Sequence, residues 1–339
     1  MAYTTIKKPS DYFNTKLYTG NGGTLNVTGV GFQPDLVWIK GRGYADSQVL
    51  TDAVRGTTKC LSSDSSTAEF TQTNGLTAFG SDGFTLGNWS AINRASTTVA
   101  WNWLANGTGS ANTDGTINST VSANTTSGFS IVSYTGTGSQ ATVGHGLGAT
   151  PKWIVVKRLQ NAEDWAVYHA SNGAGTYQSL NTTEGKQTNS NRFNVAPTSS
   201  VFTVNTHESV NFAENYIAYC FAEKTGYSKF DLYTGNGQAD GTFVYTGFKP
   251  AFVITKITSG SDNWALWDNK REPFNVNDNI LRTDTNSSET SSTSYAVDFI
   301  SNGFKLRGTD GKINGSGSTY IYMAFAEEPL VGDNPATAR

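Results

Sequence analysis

Short runs of apolar residues, each bounded by turns, are the strongest pattern in this chain. Three runs follow a proline, read PDLVWIK, PKWIVVK and PAFVITK, and begin at Pro34, Pro151 and Pro250. Their apolar residues are consecutive and do not alternate with polar ones, which is typical of a strand covered on both faces. A proline at the first position of a strand costs no ladder hydrogen bond. The pattern therefore predicts a central strand after each proline.

The rest of the chain reads as short strands separated by turn sequences such as Gly-Asn, Asn-Gly and Asp-Gly. Turns of this kind every 8 to 12 residues or so are typical of an antiparallel sandwich. The composition agrees, because 36 glycines and many hydroxyl and amide side chains disfavour helices. Hydrophobic residues make up 37% and aromatic residues 12%, which is too many for a disordered chain.

Three markers recur in the same order along the sequence. The first is a turn that opens at Tyr18, Tyr134 and Tyr233. The second is the proline-led strand. The third is an aromatic-rich strand that closes at Trp103, Phe221 and Phe325. Repeats of about 100 residues are far longer than solenoid repeats of roughly 20 to 50 residues, so each repeat has the size of a domain.

The sequence thus predicts an all-β protein of three tandem antiparallel β-sandwich repeats, jelly-roll-like in connection. We name the repeats unit 1 (11–107), unit 2 (122–224) and unit 3 (226–328). Residues 108–121 form a polar linker in this prediction, and residues 329–339 form a C-terminal tail. Because the second junction is so short, units 2 and 3 are expected to pack together while unit 1 has more freedom.

Charge limits the possible partners. Only 15% of residues are charged and the net charge is −3, so neither nucleic acid nor an anionic membrane is expected as a partner. The start of the chain lacks the apolar segment of a secretion signal, and we expect no membrane insertion. The two cysteines, Cys60 and Cys220, form no zinc-type spacing and no disulfide framework, although one bridge between them remains open.

The histidines offer little chemistry. His145 lies in a glycine-rich segment and is expected to be a turn residue. His169 occupies the repeat position that Asp52 and Asp268 occupy in units 1 and 3. Different chemistry at one equivalent position is unusual for an enzyme, so a solvent-facing loop residue is the prediction. None of the three histidines has an Asp, Glu or Cys at ligand spacing, and His207 is therefore not expected to bind a metal.

The recurring charged residues have a structural and a binding interpretation. Asp52 and Arg55, like Asp268 and Arg271, are spaced as an exposed ion pair that closes a turn, or as an arginine clamp for a ligand. A lysine ends each proline-led strand, at Lys40, Lys157 and Lys256. We expect each to extend its ammonium group from the strand end into solvent, with contact to a partner as the alternative.

Acidic residues that could cleave a glycoside are sparse. The candidates are Glu163, Asp164, Glu223, Glu327 and Glu328. We therefore predict no enzyme, no catalytic residue, no metal site and no cofactor. The residues that would bind a ligand stay unassigned.

Some aromatic residues outside the predicted core strands could stack on sugar rings, since a flat ring covers apolar C–H patches. These are Tyr44, Trp89, Trp165 and Trp267. Burial in the core is the alternative for half or more of them.

Seven longer motifs carry a family resemblance and together span nearly the whole chain. They are YTGNG (18–22), GFQPDLVWIKGR (31–42), DAVRGTTKCLSSD (52–64), SDGFTLG (81–87), VGHGLGATPKWIVVK (143–157), AYCFAEKTGYSKF (218–230) and YTGFKPAFV (245–253). The chain resembles the repeat proteins of unknown function among the structural genes of tailed bacteriophages, particularly marine and cyanobacterial phages. No catalytic residues come with this family.

The resemblance implies a virion surface protein, assembled in the host cytoplasm, that acts as a tail fibre in host attachment or as a capsid decoration. Its expected partners are other virion proteins, further copies of itself, as in a trimer, and a host surface glycan. A free carbohydrate-binding protein and a polysaccharide depolymerase are the alternatives. A partner is also expected to hold the polar C-terminal tail in place.

Overall fold

The structure, a computed structural model, describes residues 4–331 and 335–336. It is all-β, and its strands pair antiparallel. Helix in the described part is limited to two four-residue helices and two 3₁₀ turns. These are α1 (Ser90–Asn93), α2 (Gly311–Asn314), Pro9–Asp11 and Thr293–Tyr295. No helix among these residues has the length and apolar character needed to cross a membrane.

Each unit contributes a run of short strands. Unit 1 holds β1 (Phe13–Thr19), β2 (Leu25–Thr28), β3 (Leu36–Gly41), β4 (Val49–Asp52), β5 (Lys59–Ser62), β6 (Phe70–Thr71), β7 (Leu76–Gly80), β8 (Gly83–Leu86) and β9 (Thr97–Trp103). Unit 2 and the segment before it hold β10 (Ser110–Asn112), β11 (Ser119–Asn124), β12 (Phe129–Thr135), β13 (Ala141–Gly144), β14 (Trp153–Arg158), β15 (Ala166–His169), β16 (Thr176–Ser179), β17 (Gln187–Thr188), β18 (Val201–Val204) and β19 (Asn215–Phe221). Unit 3 holds β20 (Ser228–Thr234), β21 (Phe243–Tyr245), β22 (Phe248–Ile257), β23 (Ala265–Asp268), β24 (Asn279–Ile280), β25 (Thr290–Ser291), β26 (Val297–Ile300), β27 (Gly303–Leu306) and β28 (Thr319–Pro329).

Each unit has one large sheet, and four strands of that sheet have the same neighbour order in all three units. The orders are β1-β9-β3-β4-β5-β6, β10-β11-β12-β19-β14-β15-β16-β17 and β20-β28-β22-β23. The smaller sheets are β2-β8-β7, β13-β18, β21-β27-β26 and β24-β25. The recurring part is the set β1-β9-β3-β4, which corresponds to β12-β19-β14-β15 and to β20-β28-β22-β23.

The proline-led strands are central in their sheets, as predicted. β3, β14 and β22 each lie between two neighbours, and every residue of each strand is buried. Pro34 and Pro151 precede their strands. Pro250 instead falls inside β22, at a register shift in its ladder with β28. Such an irregularity accommodates a residue without a backbone N–H.

Burial on both faces has two different sources. In β3, Val37 and Ile39 belong to a local core that also includes residues of the small sheet of unit 1. Trp38, between them, belongs to a second core that contains residues of all three large sheets. Units 2 and 3 have local cores of the same kind. The large sheets therefore pack against one another as well as against their small sheets.

This shared core corrects the prediction that unit 1 has more freedom than the others. The ring of Trp103 lies 6.3 Å from that of Phe221 and 5.8 Å from that of Phe252, measured between centroids. Unit 1 is thus in aromatic contact with both other units. The short junction between units 2 and 3 is a poor guide here, because the contacts are made by sheet faces and not by the connecting segments.

The segment predicted as a polar linker, 108–121, is part of the fold. Within it, β10 pairs with β11, and Ile117 is buried and bridges Val143 of unit 2. The prediction overlooked Ile117 as an apolar anchor in a polar sequence. Of the predicted tail, 332–334 and 337–339 lie outside the described residues, so the expectation that a partner holds it stays a prediction.

Candidate functional site

The three lysines at the strand ends form the first of several contacts that recur in cyclic order between units. Each Nζ donates to one carbonyl of its own unit and to one carbonyl of a neighbouring unit. Lys40 binds the carbonyls of Asp46 and Asn286, Lys157 those of Glu163 and Ser66, and Lys256 those of Asp262 and Thr182. Unit 1 thus binds unit 3, unit 2 binds unit 1, and unit 3 binds unit 2. The prediction of solvent-directed ammonium groups is wrong, because all three lysines are fully buried.

Burial lowers the pKa of all three lysines, Lys40, Lys157 and Lys256, to about 8. Unfolded lysine has a pKa near 10.4, so the unfolded chain binds more protons than the folded chain between about pH 8 and pH 10. Stability is therefore expected to rise with pH from about pH 7 to pH 9, by at most about 1.4 kcal/mol per lysine and pH unit. Urea unfolding at a series of pH values measures this change in the free energy of unfolding.

Two thiols act in the opposite direction. Burial raises the pKa of Cys60 and Cys220, whereas the unfolded thiols are half deprotonated near pH 8.5. Because three lysines outweigh two thiols below about pH 9, the net slope stays positive. The variant Lys157→Met should remove about one third of the lysine contribution, and so reduce the net slope by more than one third. A stability that falls steadily from pH 7 to pH 9 would contradict the prediction.

A second recurring contact lies at the residue before each of β4, β15 and β23. There, Trp165 Nε1 donates to the carbonyl of Ser62 at 2.9 Å, and Trp264 Nε1 donates to that of Ser179 at 3.0 Å. In unit 1 the same position is Gln48, whose amide donates to the carbonyl of Arg282. The direction is again unit 2 to unit 1, unit 3 to unit 2, and unit 1 to unit 3.

A third contact involves the last residue of β4 and of β23. Tyr219 of unit 2 donates its hydroxyl to Asp52 at 2.8 Å, and Trp101 of unit 1 donates its indole N–H to Asp268 at 3.0 Å. In each case the carboxylate also accepts from the arginine three residues later, over 2.6 Å. These arginines, Arg55 and Arg271, have side chains that are at most 3% exposed. The local pairs agree with the prediction, but the predicted exposure is wrong, because both pairs are buried and link two units.

His169 completes this set in unit 2. The unit 3 residue at the register position of Trp101 and Tyr219 is Met323, whose side chain has no N–H or O–H to donate. An aspartate would then stay buried without that partner, whereas a neutral imidazole tolerates burial. Burial lowers the pKa of His169 to about 4, so it is neutral near pH 7. The prediction of a solvent-facing residue is wrong, since His169 is 1% exposed.

The two other histidines and the two cysteines do not form a common site. His145 is buried and accepts from the N–H of Leu147, as suits a turn residue. His207 hydrogen-bonds Ser209. Nowhere in 4–331 or 335–336 do three or more His, Cys, Asp or Glu side chains gather as metal ligands. Cys60 and Cys220 are both free and buried, so the bridge left open by the sequence is not formed.

The candidate carboxylates for glycoside cleavage have different partners. Glu223 pairs with Lys152 at 2.9 Å, and Glu327 pairs with Lys249 at 3.1 Å. Asp164 accepts a hydrogen bond from the amide of Asn181, within unit 2. The other two candidates, Glu163 and Glu328, are half-buried.

The aromatic residues singled out for sugar stacking are mostly in the core. Tyr44, Trp165 and Trp267 are buried, and Trp89 is half-buried against the ring of Phe70. Other aromatic side chains are exposed, namely Phe212, Phe243, Tyr245 and Phe274. None of these four residues is among the aromatics predicted to stack on a sugar.

Several concavities lie where units meet, and two of them are more enclosed than the others. One, of about 30 Å³, is wholly apolar and is lined by residues of all three units, including Trp38, Trp153 and Met323. The other, of about 130 Å³, lies between unit 1 and unit 3 and has a mainly polar lining that includes Thr15 and Asn269. The second is the candidate binding site, since small polar ligands are held by a few placed polar groups in a concavity.

Comparison with known proteins identifies a family. No curated protein matched the sequence. A family model matches residues 8–329 and so covers the three large sheets together. The chain belongs to that family, described as a domain of unknown function, DUF7483.

Proposed function

We propose that the chain is a non-enzymatic structural protein of the bacteriophage virion surface, acting as a tail-fibre or receptor-binding component or as a capsid decoration. In this proposal it consists of three tandem antiparallel β-sandwich repeats that arose by triplication. The motifs that resemble phage structural repeat proteins motivate the setting. It is assembled in the host cytoplasm and released with the particle.

The cyclic set of buried contacts between units is the observation that carries the proposal. Each unit binds the next through a buried lysine, and a core of three sheets joins them. Homotrimers achieve the same arrangement with three chains, and closed symmetry leaves few sheet edges free. A single chain built in this way is a compact body with the external form of a trimer, suited to a particle that must survive outside the cell.

Carbohydrate binding is a second candidate function, favoured by the polar cavity between units 1 and 3. It is compatible with the first, since a receptor-binding component recognises host surface glycans. A polysaccharide depolymerase is the third, and release of reducing ends from host polysaccharide would reveal it. The separate partners of the candidate acids favour binding over cleavage.

The decisive experiment locates the chain on particles. Phage encoding this sequence is purified on a density gradient, washed in high salt, and measured by quantitative mass spectrometry. The chain should remain with the particles, in tens of copies for a fibre or in hundreds for a decoration, and gold-labelled antibody should mark the tail or the capsid accordingly. Recovery only in the soluble lysate fraction would refute the proposal.

A further inference from the structure

Asn269 breaks the equivalence of the three units. It follows Asp268, the last residue of β23, and its backbone N–H donates to the carbonyl of Ala251 at 2.9 Å. The corresponding residues of units 1 and 2 are Ala53 and Ala170, which make the same type of backbone hydrogen bond. The backbone is thus conserved among the units, while only unit 3 places an amide side chain here.

That amide is buried without partners. Asn269 is 2% exposed, and neither its Oδ1 nor its Nδ2 has a hydrogen-bond partner among the described residues. The hydroxyl of Thr15, 6% exposed, is in the same state. Leaving a buried polar group unpaired costs stability, and alanine in units 1 and 2 avoids that cost. The asparagine is therefore not explained by its contribution to the fold.

Both residues line the polar cavity between unit 1 and unit 3. Its volume of about 130 Å³ holds on the order of ten water-sized atoms, which is the scale of one sugar ring. Asn14 and Lys270 add an amide and an ammonium group, and two glutamates complete the charged lining. With one lysine against two carboxylates, the lining lacks the excess of cationic groups that phosphate or sulfate would need.

We propose that this cavity binds one neutral hexose unit of a glycan. A primary amide presents a donor and an acceptor side by side, and two adjacent sugar hydroxyls offer the complementary acceptor and donor. The Thr15 hydroxyl can pair with a third. Both amide atoms of Asn269 are shielded from the cavity, so pairing with a sugar requires rotation about the terminal torsion of the side chain, which is a soft one. The inference rests on the proposed function, because the sugar would belong to a host surface glycan.

The test combines binding and stability on the full chain. Saturation-transfer NMR titrations use free D-glucose, D-galactose and D-mannose as probes. At least one sugar should bind saturably in the millimolar range, and Asn269→Ala should weaken that binding at least tenfold. Its thermal midpoint should equal or exceed that of the wild type, because the variant only removes unpaired polar atoms. Thr15→Val should weaken binding in the same direction.

The matched control is Asn88→Ala, the same substitution at an exposed asparagine that lines a different groove, in unit 1. It should leave sugar binding unchanged. Three results would each overturn the proposal: no saturable binding of any of the three sugars, unchanged binding in Asn269→Ala, or a lower thermal midpoint for that variant. The particle experiment is independent, so a chain found on virions that binds no sugar refutes this site alone.

Discussion

Replacing Asp268 with alanine is expected to lower the free energy of unfolding by about 3–5 kcal/mol, the usual cost of removing one partner of a buried ion pair. The guanidinium of Arg271, whose side chain is fully buried, would lose its closest carboxylate. The indole N–H of Trp101, which comes from unit 1, would lose its acceptor. Urea unfolding followed by far-UV circular dichroism measures the change.

An exposed pair provides the control for this substitution. Asp11 and Lys8 also form a close ion pair three residues apart, but their side chains are 48% and 71% exposed. Asp11→Ala should change stability by less than about 1 kcal/mol, since water solvates the remaining charge. Similar losses for the two variants would mean that burial of the Asp268 pair does not determine its contribution.

The sequence predicts structural features that depend on adjacent residues, such as the position of a strand and whether both of its faces are covered. The run after Pro151 indicates a strand covered on both faces, and β14 is such a strand. The sequence does not say what covers each face. Trp153 packs in the core shared by all three units, whereas Ile154, one position later, packs in the local core of unit 2. A strand that is covered on both faces fits a self-contained repeat equally well, so the sequence alone leads to that expectation.

The prediction for the strand-end lysines is wrong because their hydrogen-bond partners lie far away in the sequence. Lys40 binds a carbonyl of Asn286, 246 residues away, and nothing in the surrounding sequence indicates a buried acceptor. A lysine that ends an apolar strand reads as a surface residue when its unit is considered alone. Placing it at an interface requires knowing that another unit covers that strand end.

Comparison among the repeats did contain one usable signal. The last residue of β4 and β23 is aspartate, and the facing unit supplies Tyr219 or Trp101 as a donor. Where that unit supplies Met323, the residue is His169. Such paired changes indicate spatial contact between units. The alanine-to-asparagine change at Asn269 is visible in the same way, although its burial is not.

Replacing Phe325 with alanine should test whether the chain unfolds as one body. Its ring contacts aromatic rings from all three units. They belong to Phe13, Trp103, Phe221, Tyr227, Phe230 and Phe252. Removing a fully packed phenylalanine side chain costs about 3–5 kcal/mol through lost burial and the cavity left behind.

Because the shared core joins the three large sheets, we expect Phe325→Ala to lower the midpoint of a single transition. Calorimetry, tryptophan fluorescence and far-UV circular dichroism should report the same midpoint. The control Phe274→Ala, at a side chain that is 76% exposed, should shift stability by no more than about 0.5 kcal/mol. If unit 3 instead melted early while units 1 and 2 kept the wild-type midpoint, the units would be energetically separate, and the shared aromatic core would not couple them.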